Sequence, residues 1–139
     1  MFNFRVLIVD DEADFLETIV NRLKKRKIEA TGVPSGEAAL ELIKEKPFDI
    51  VVLDIKMPGG IDGIEVLREI KSIRPLTEVI LLTGHASVET SIEGLKLGAF
   101  DYLLKPVKFV ELLDKIAAAF EKKSSQEQKI RAAKNREID

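Results

Sequence analysis

The chain has 139 residues, 45% of them hydrophobic and 33% charged, with a net charge of −2. That length and balance fit one ordinary domain with a real core and a solvated exterior. The near-neutral charge argues against nucleic-acid binding driven by bulk charge. The absence of Cys excludes disulfides, thiol catalysis and thiolate metal sites, and a single His excludes a multi-histidine zinc centre.

Met1 to Arg5 lead directly into an apolar run, without a signal-peptide pattern, and no stretch is long enough to span a bilayer. A cytoplasmic protein with no membrane association is therefore expected. Residues 4–9 read as a strand ending in Asp10-Asp11. Residues 13–26 read as a helix with Phe15, Leu16, Ile19, Val20 and Leu23 on one face. A weaker strand is expected over 28–33, then a helix over 36–46 with Ser35 as N-cap and Leu40 and Ile43 facing inward. Residues 49–53 form the most apolar strand and end in Asp54. Met57-Pro58-Gly59-Gly60 reads as a loop, and Asp62 with Glu65 as a capping box for a helix over 63–73. A strand over 78–82 ends in Thr83-Gly84, and Ser87 is a candidate cap for a helix over 88–97 closed by Gly98. The last pair is a strand over 101–104, ending in Lys105-Pro106, and a helix over 108–121.

Five βα units follow, with no internal repeat. The strands are apolar runs more than alternations, as a parallel sheet covered on both faces requires. Right-handed crossovers then make a doubly wound α/β sandwich. Residues 1–121 form this domain, and 122–139 a charged tail. The tail reads either as a solvated, fraying extension of the last helix or as the start of a linker or dimerising coil; its heptad spacing is poor.

If the strands are parallel, their polar ends converge at one edge, where open α/β sheets bind ligands. Asp10, Asp11 and Asp54 would meet there, and their repulsion calls for a cation. An all-oxygen donor set suits a hard ion, and a site that keeps bound water suits Mg²⁺. Lys105 adds a fixed positive charge. Such a site can trap a phosphoryl group beside a nucleophilic carboxylate, with the Thr83 hydroxyl available to its oxygens. Each piece alone has a local explanation, as a helix cap or a turn residue. The joint placement at successive strand ends does not.

In order and spacing these motifs resemble the receiver domain of bacterial two-component response regulators. The matching stretches are Val6–Glu12, Asp49–Asp54 with Met57-Pro58, Leu82-Thr83-Gly84-His85, and Gly98–Pro106, together covering roughly residues 4–121. The Thr-Gly-His stretch and the run before Lys105 look most like receivers of sigma-54 activators. The resemblance implies a flavodoxin-like (βα)5 fold with sheet order 2-1-3-4-5. It implies that Asp54 takes a phosphoryl group from the phosphohistidine of a sensor histidine kinase or phosphotransfer protein. Asp11, Asp54 and the Lys56 carbonyl would bind Mg²⁺, Asp10 would act partly through water, and Lys105 would contact the phosphoryl group. Thr83 and Tyr102 would switch together and repack the surface of residues 88–97, 101–104 and the last helix. The Lys56 and His85 side chains would tune dephosphorylation, and the peptide before Pro106 would be cis.

One departure stands out: Met57-Pro58-Gly59-Gly60-Ile61-Asp62-Gly63 is one residue longer than the family's usual run. It leaves the expected metal ligands intact and alters the loop beside them. Catalysis would extend only to the chain's own phosphorylation and dephosphorylation. A haloacid-dehalogenase-type phosphatase would carry a second Asp where Lys56 stands. A degenerate scaffold would have lost an acid, Thr83 or Lys105. A flavin phosphate would be repelled by Asp10-Asp11-Glu12. The expected partners are the kinase and a downstream protein target or output domain, with dimerisation through the last helices compatible with the sequence.

Overall fold

The computed structural model describes residues 4–138, apart from the side chains of His85 and Ile138. In chain order the elements are β1 (Arg5–Val9), α1 (Ala13–Lys25), β2 (Glu29–Val33), α2 (Gly36–Glu45), β3 (Ile50–Asp54), α3 (Gly63–Ile73), β4 (Glu78–Thr83), α4 (Val88–Lys96), β5 (Asp101–Leu104) and α5 (Phe109–Ile138). The five strands are parallel and ordered β2-β1-β3-β4-β5, as the resemblance implied. Every residue of β3 and β4 is buried, which explains why these strands read as unbroken apolar runs.

Alternation along the strands sorts the core into two layers. Val6, Ile8, Ile50, Val52, Ile80 and Leu82 face α1 and α5, against Ile19, Leu23, Leu112 and Ile116. Leu7, Val9, Val51, Leu53, Val79 and Leu81 face the other way, against Leu40 and Ile43 of α2 and Val66, Leu67 and Ile70 of α3. The order reverses between β1 and β3, so their carboxyl ends flank the crevice expected to hold the site.

Side-chain caps mark the starts of α2 and α3. Ser35 Oγ accepts from the Ala38 amide at 3.2 Å, and Asp62 Oδ1 accepts from the Ile64 amide at 2.8 Å. Ser87 does not cap α4 with its side chain. A 3-10 turn, His85–Ser87, precedes that helix, and the Ser87 carbonyl instead accepts from Ser91 Oγ at 3.3 Å. Gly63 opens α3 so close to the strand end that a Cβ there would lie 2.5 Å from the Ile55 carbonyl oxygen.

Helix α5 continues without a break past residue 121 to Ile138, a helix of 30 residues. Its middle is tied to the amino-terminal edge of the sheet. Phe120 stacks on Phe4 with ring centroids 4.4 Å apart. Lys122 reaches Glu78 Oε2 at 3.2 Å, and Lys123 reaches Asp49 Oδ1 at 2.9 Å and Glu127 at 3.2 Å. Asp49 Oδ2 in turn accepts from the Arg5 amide at 2.8 Å. Glu78 is buried; its Oε1 accepts no hydrogen bond and lies 3.8 Å from the Lys71 ammonium. Burial holds that ammonium below its usual pKa, opposed by the Glu78 charge. The adjacent lysines of α5 thus answer acids at the starts of two strands. Beyond Glu127 the described side chains of α5 are mostly exposed.

Two expectations follow. Gly63→Ala should cost about 1–3 kcal/mol by forcing the Ile55 backbone aside, seen as a lower denaturant midpoint in chemical unfolding. In hydrogen exchange, α5 amides should be protected through Lys123 and lose protection beyond Glu127. Replacing Lys122 and Lys123 by Met should move that boundary back toward Glu121; an unmoved boundary would mean that Phe120 packing alone holds the helix.

Candidate functional site

The site is built from three strand ends. At the end of β1, Asp10 is fully buried; its amide donates to the Val33 carbonyl at 3.2 Å, which fixes the backbone against β2. Its Oδ1 accepts from the Glu12 amide at 2.9 Å. At the end of β3, Asp54 is 4% exposed, and its Oδ1 accepts from the Lys56 amide at 3.1 Å. The β1–β3 register pairs Val9 with Leu53, so the two carboxylates stand side by side. After β5, the Lys105 amide donates to the Thr83 carbonyl at 2.8 Å, and the Lys105–Pro106 peptide is cis.

Lys105 joins these ends. Its ammonium donates to Asp10 Oδ2 at 3.1 Å, Asp54 Oδ2 at 3.0 Å and Glu12 Oε1 at 3.1 Å, and lies 5.3 Å from the centroid of the Phe15 ring. An ammonium has three N–H donors, and here each meets one carboxylate. Burial opposes the Lys105 charge, but its hydrogen bonds to Asp54 and Asp10 outweigh this and hold the group above its ordinary pKa. For Asp10, burial dominates and pushes the carboxyl above its usual value, with the Asp54 charge adding and the Glu12 amide and Lys105 opposing.

Asp10, Glu12 and Asp54 each offer an oxygen within 4.8 Å of the others. This all-oxygen, multiply anionic set fits a hard cation. The sequence reading placed Asp11 rather than Glu12 beside the ion. Asp11 is exposed and lies by the loop at Met57–Ile61, with Glu37 across a small cleft. Glu12 is the N-cap of α1, with φ −82° and ψ 103°, and its carboxylate meets the Lys105 ammonium that Asp10 also meets.

Thr83 is buried at the end of β4, with its hydroxyl donating to the Gly84 carbonyl at 3.0 Å. Tyr102 is half-buried in β5 and packs against the core layer of α2 and α3. It pairs with Leu81, two residues before Thr83, so the two side chains share one face of the sheet. Lys56 is exposed. The side chain of His85 lies outside the described residues. In the longer loop, Gly59 takes φ +86°, a conformation that favours glycine, and the Ile61 amide donates to Glu37 Oε1 at 3.4 Å.

A family profile described as the response regulator receiver domain matches residues 6–117. The transcriptional regulatory protein ZraR of Escherichia coli K12 is 38% identical over 120 residues, which are 86% of this chain and 26% of that protein. The regulatory protein AtoC of Escherichia coli K12 is 41% identical over 108 residues, 78% of this chain and 23% of that one. The chain therefore spans about a quarter of the length of these relatives, which belong to the sigma-54 activator class that its motifs resemble. The crystal structure of adenylate cyclase from Rhodopirellula baltica matches with a TM-score of 0.90 at 31% identity, over 96% of this chain and 98% of that one. That share exceeds what residues 1–121 could supply, so it includes part of the long α5. With the crevice between β1 and β3, the buried acid pair and Lys105 in place, this chain belongs to the receiver domain family of two-component response regulators, whose general function is phosphoryl transfer to an aspartate.

Proposed function

We propose that the chain is a phosphorylatable switch with Asp54 as acceptor. The observation that carries this reading is the Lys105 ammonium held between Asp54 and Asp10 at the carboxyl edge of the sheet. A carboxylate oxygen of Asp54 attacks the phosphorus of a phosphohistidine on a sensor kinase or phosphotransfer protein. The new O–P bond forms as the P–N bond breaks, and the imidazole nitrogen keeps the electron pair. Hydrolysis of the resulting acyl phosphate restores the carboxylate and releases inorganic phosphate, so the state is timed.

Asp10, Asp54, the Lys56 carbonyl and one of the flanking acids, Asp11 or Glu12, would hold Mg²⁺. When bound, the ion supplies positive charge against the oxygens of the transferring group. Lys105 supplies a second, fixed charge from β5. The Thr83 hydroxyl leaves the Gly84 carbonyl for a phosphoryl oxygen. Space opens on the face that Thr83 shares with Tyr102, and the Tyr102 ring moves into it. The surface of α4, β5 and α5 then shifts between two packings, and with it the affinity for a downstream protein or output domain. Residues 1–121 carry this function. The extension of α5 connects it to a partner, a second copy or a following domain. Among the described residues no helix is long and apolar enough to cross a membrane, in keeping with a cytoplasmic location. Catalysis is confined to the chain's own phosphorylation and dephosphorylation, with Lys56 and His85 setting the lifetime.

The direct test is intact-mass spectrometry after incubation with acetyl phosphate. The parent with Mg²⁺ should gain one phosphoryl group; Asp54→Asn, or the parent in chelator, should gain none. A parent that gains none from acetyl phosphate or from a cognate kinase would leave a binding scaffold as the remaining reading. A second expectation concerns pH. Burial raises the Asp10 carboxyl above the 3.8 of a free aspartate, so the folded chain holds this proton more tightly than the unfolded one. The stability this gives is present at low pH and is lost as pH rises through the raised value. Asp10→Asn should therefore unfold at higher denaturant than the parent at pH 7 in chelator. The margin should shrink in acid, as Asp10 of the parent protonates.

A further inference from the structure

The three N–H donors of Lys105 are all engaged before any phosphoryl group arrives. To contact a phosphoryl oxygen, the ammonium must release one of its three carboxylates. Their surroundings decide which. The Asp10 side chain is 0% exposed and that of Asp54 is 6% exposed, whereas that of Glu12 is 66% exposed. In the metal-free site, releasing Asp10 would strand a buried anion with only the Glu12 amide as partner, a large penalty. Asp54 is itself the acceptor. Releasing Glu12 only returns a surface carboxylate to water, and exposed ion pairs contribute little.

We propose that Glu12 is the releasable arm of this site: a positioning residue that holds the third N–H of Lys105 at rest and yields it to the incoming phosphoryl group. The inference rests on Asp54 being the phosphoacceptor. Glu12 also sits within 4.8 Å of both buried acids, so its charge bears on the site after the arm lets go. That charge favours a bound cation and disfavours an anionic phosphodonor. Its removal should therefore move two binding constants in opposite directions, which loss of fold or of general packing would not do.

The test compares the parent with Glu12→Gln and Glu12→Asp. Mg²⁺ affinity is read from chemical-shift titration of each chain without phosphodonor. The rate of Asp54 phosphorylation is then followed against acetyl phosphate concentration at saturating Mg²⁺. Glu12→Gln should bind Mg²⁺ about three- to tenfold more weakly, as expected for one charge lost near a divalent ion in a wet site. It should also half-saturate at a several-fold lower acetyl phosphate concentration. Glu12→Asp keeps the charge on a shorter arm. It should hold Mg²⁺ within about twofold of the parent while sharing the lowered half-saturation, because Lys105 is no longer held. A phosphorylated parent with Glu12→Gln unchanged in both constants overturns the inference alone, as do two constants that worsen together. A parent that takes up no phosphoryl group overturns the phosphoacceptor reading and this inference with it.

Discussion

Two like charges buried side by side are the constraint on which the rest of the structure depends. Asp10 and Asp54 end adjacent strands in register, and neither side chain has appreciable contact with water. Such a pair survives only if positive charge reaches it. In this fold that charge comes from β5, two strands away from β3. The Lys105 amide is therefore bonded to the end of β4, and its ammonium spans to both acids. The site is a joint between strands β1, β3 and β5, and the sheet must hold its register for the joint to close.

The two faces of the sheet carry different duties. The layer of α1 and α5 is closed by packing along the whole of β1, β3 and β4, and α5 adds the ties from Lys122 and Lys123 at the opposite edge. The layer of α2, α3 and α4 carries the half-buried Tyr102 and lies on the face of Thr83. Packing on this second face is thus where a change beside Asp54 has room to act. The loop at Met57–Ile61 rests on Glu37 at the start of α2 rather than standing free.

Much of this was legible from the sequence, because its signals are local and one-dimensional. Apolar runs marked the strands, and polar residues at their ends marked the edge of the sheet. The acids and the lysine therefore fell at one place once the strands were taken as parallel. Three features were not legible, each for a physical reason. The contact of Glu12 with Lys105 depends on the path of the chain between β1 and α1, which strand and helix periods do not report. Ser87 looked like a cap, but it sits in a 3-10 turn whose hydrogen bond runs from the Ser87 amide to the Gly84 carbonyl, and its side chain does not cap the helix. The ties that hold the early part of the α5 extension were hidden because they are ion pairs to Glu78 and Asp49, contacts distant in sequence that periodicity does not report.

Strand β4 carries a buried polar group at each end, Glu78 at the start and Thr83 at the finish. The first is gripped by Lys122 and faced by Lys71; the carbonyl of the second is bonded to the Lys105 amide. A strand fixed at both ends cannot slide lengthwise without tearing one buried polar contact or the other. The middle of the sheet therefore behaves as a stiff plate rather than a piston. A rearrangement beside Asp54 then meets less resistance sideways, in side-chain volume at the flank of β4 and β5, than along the strands.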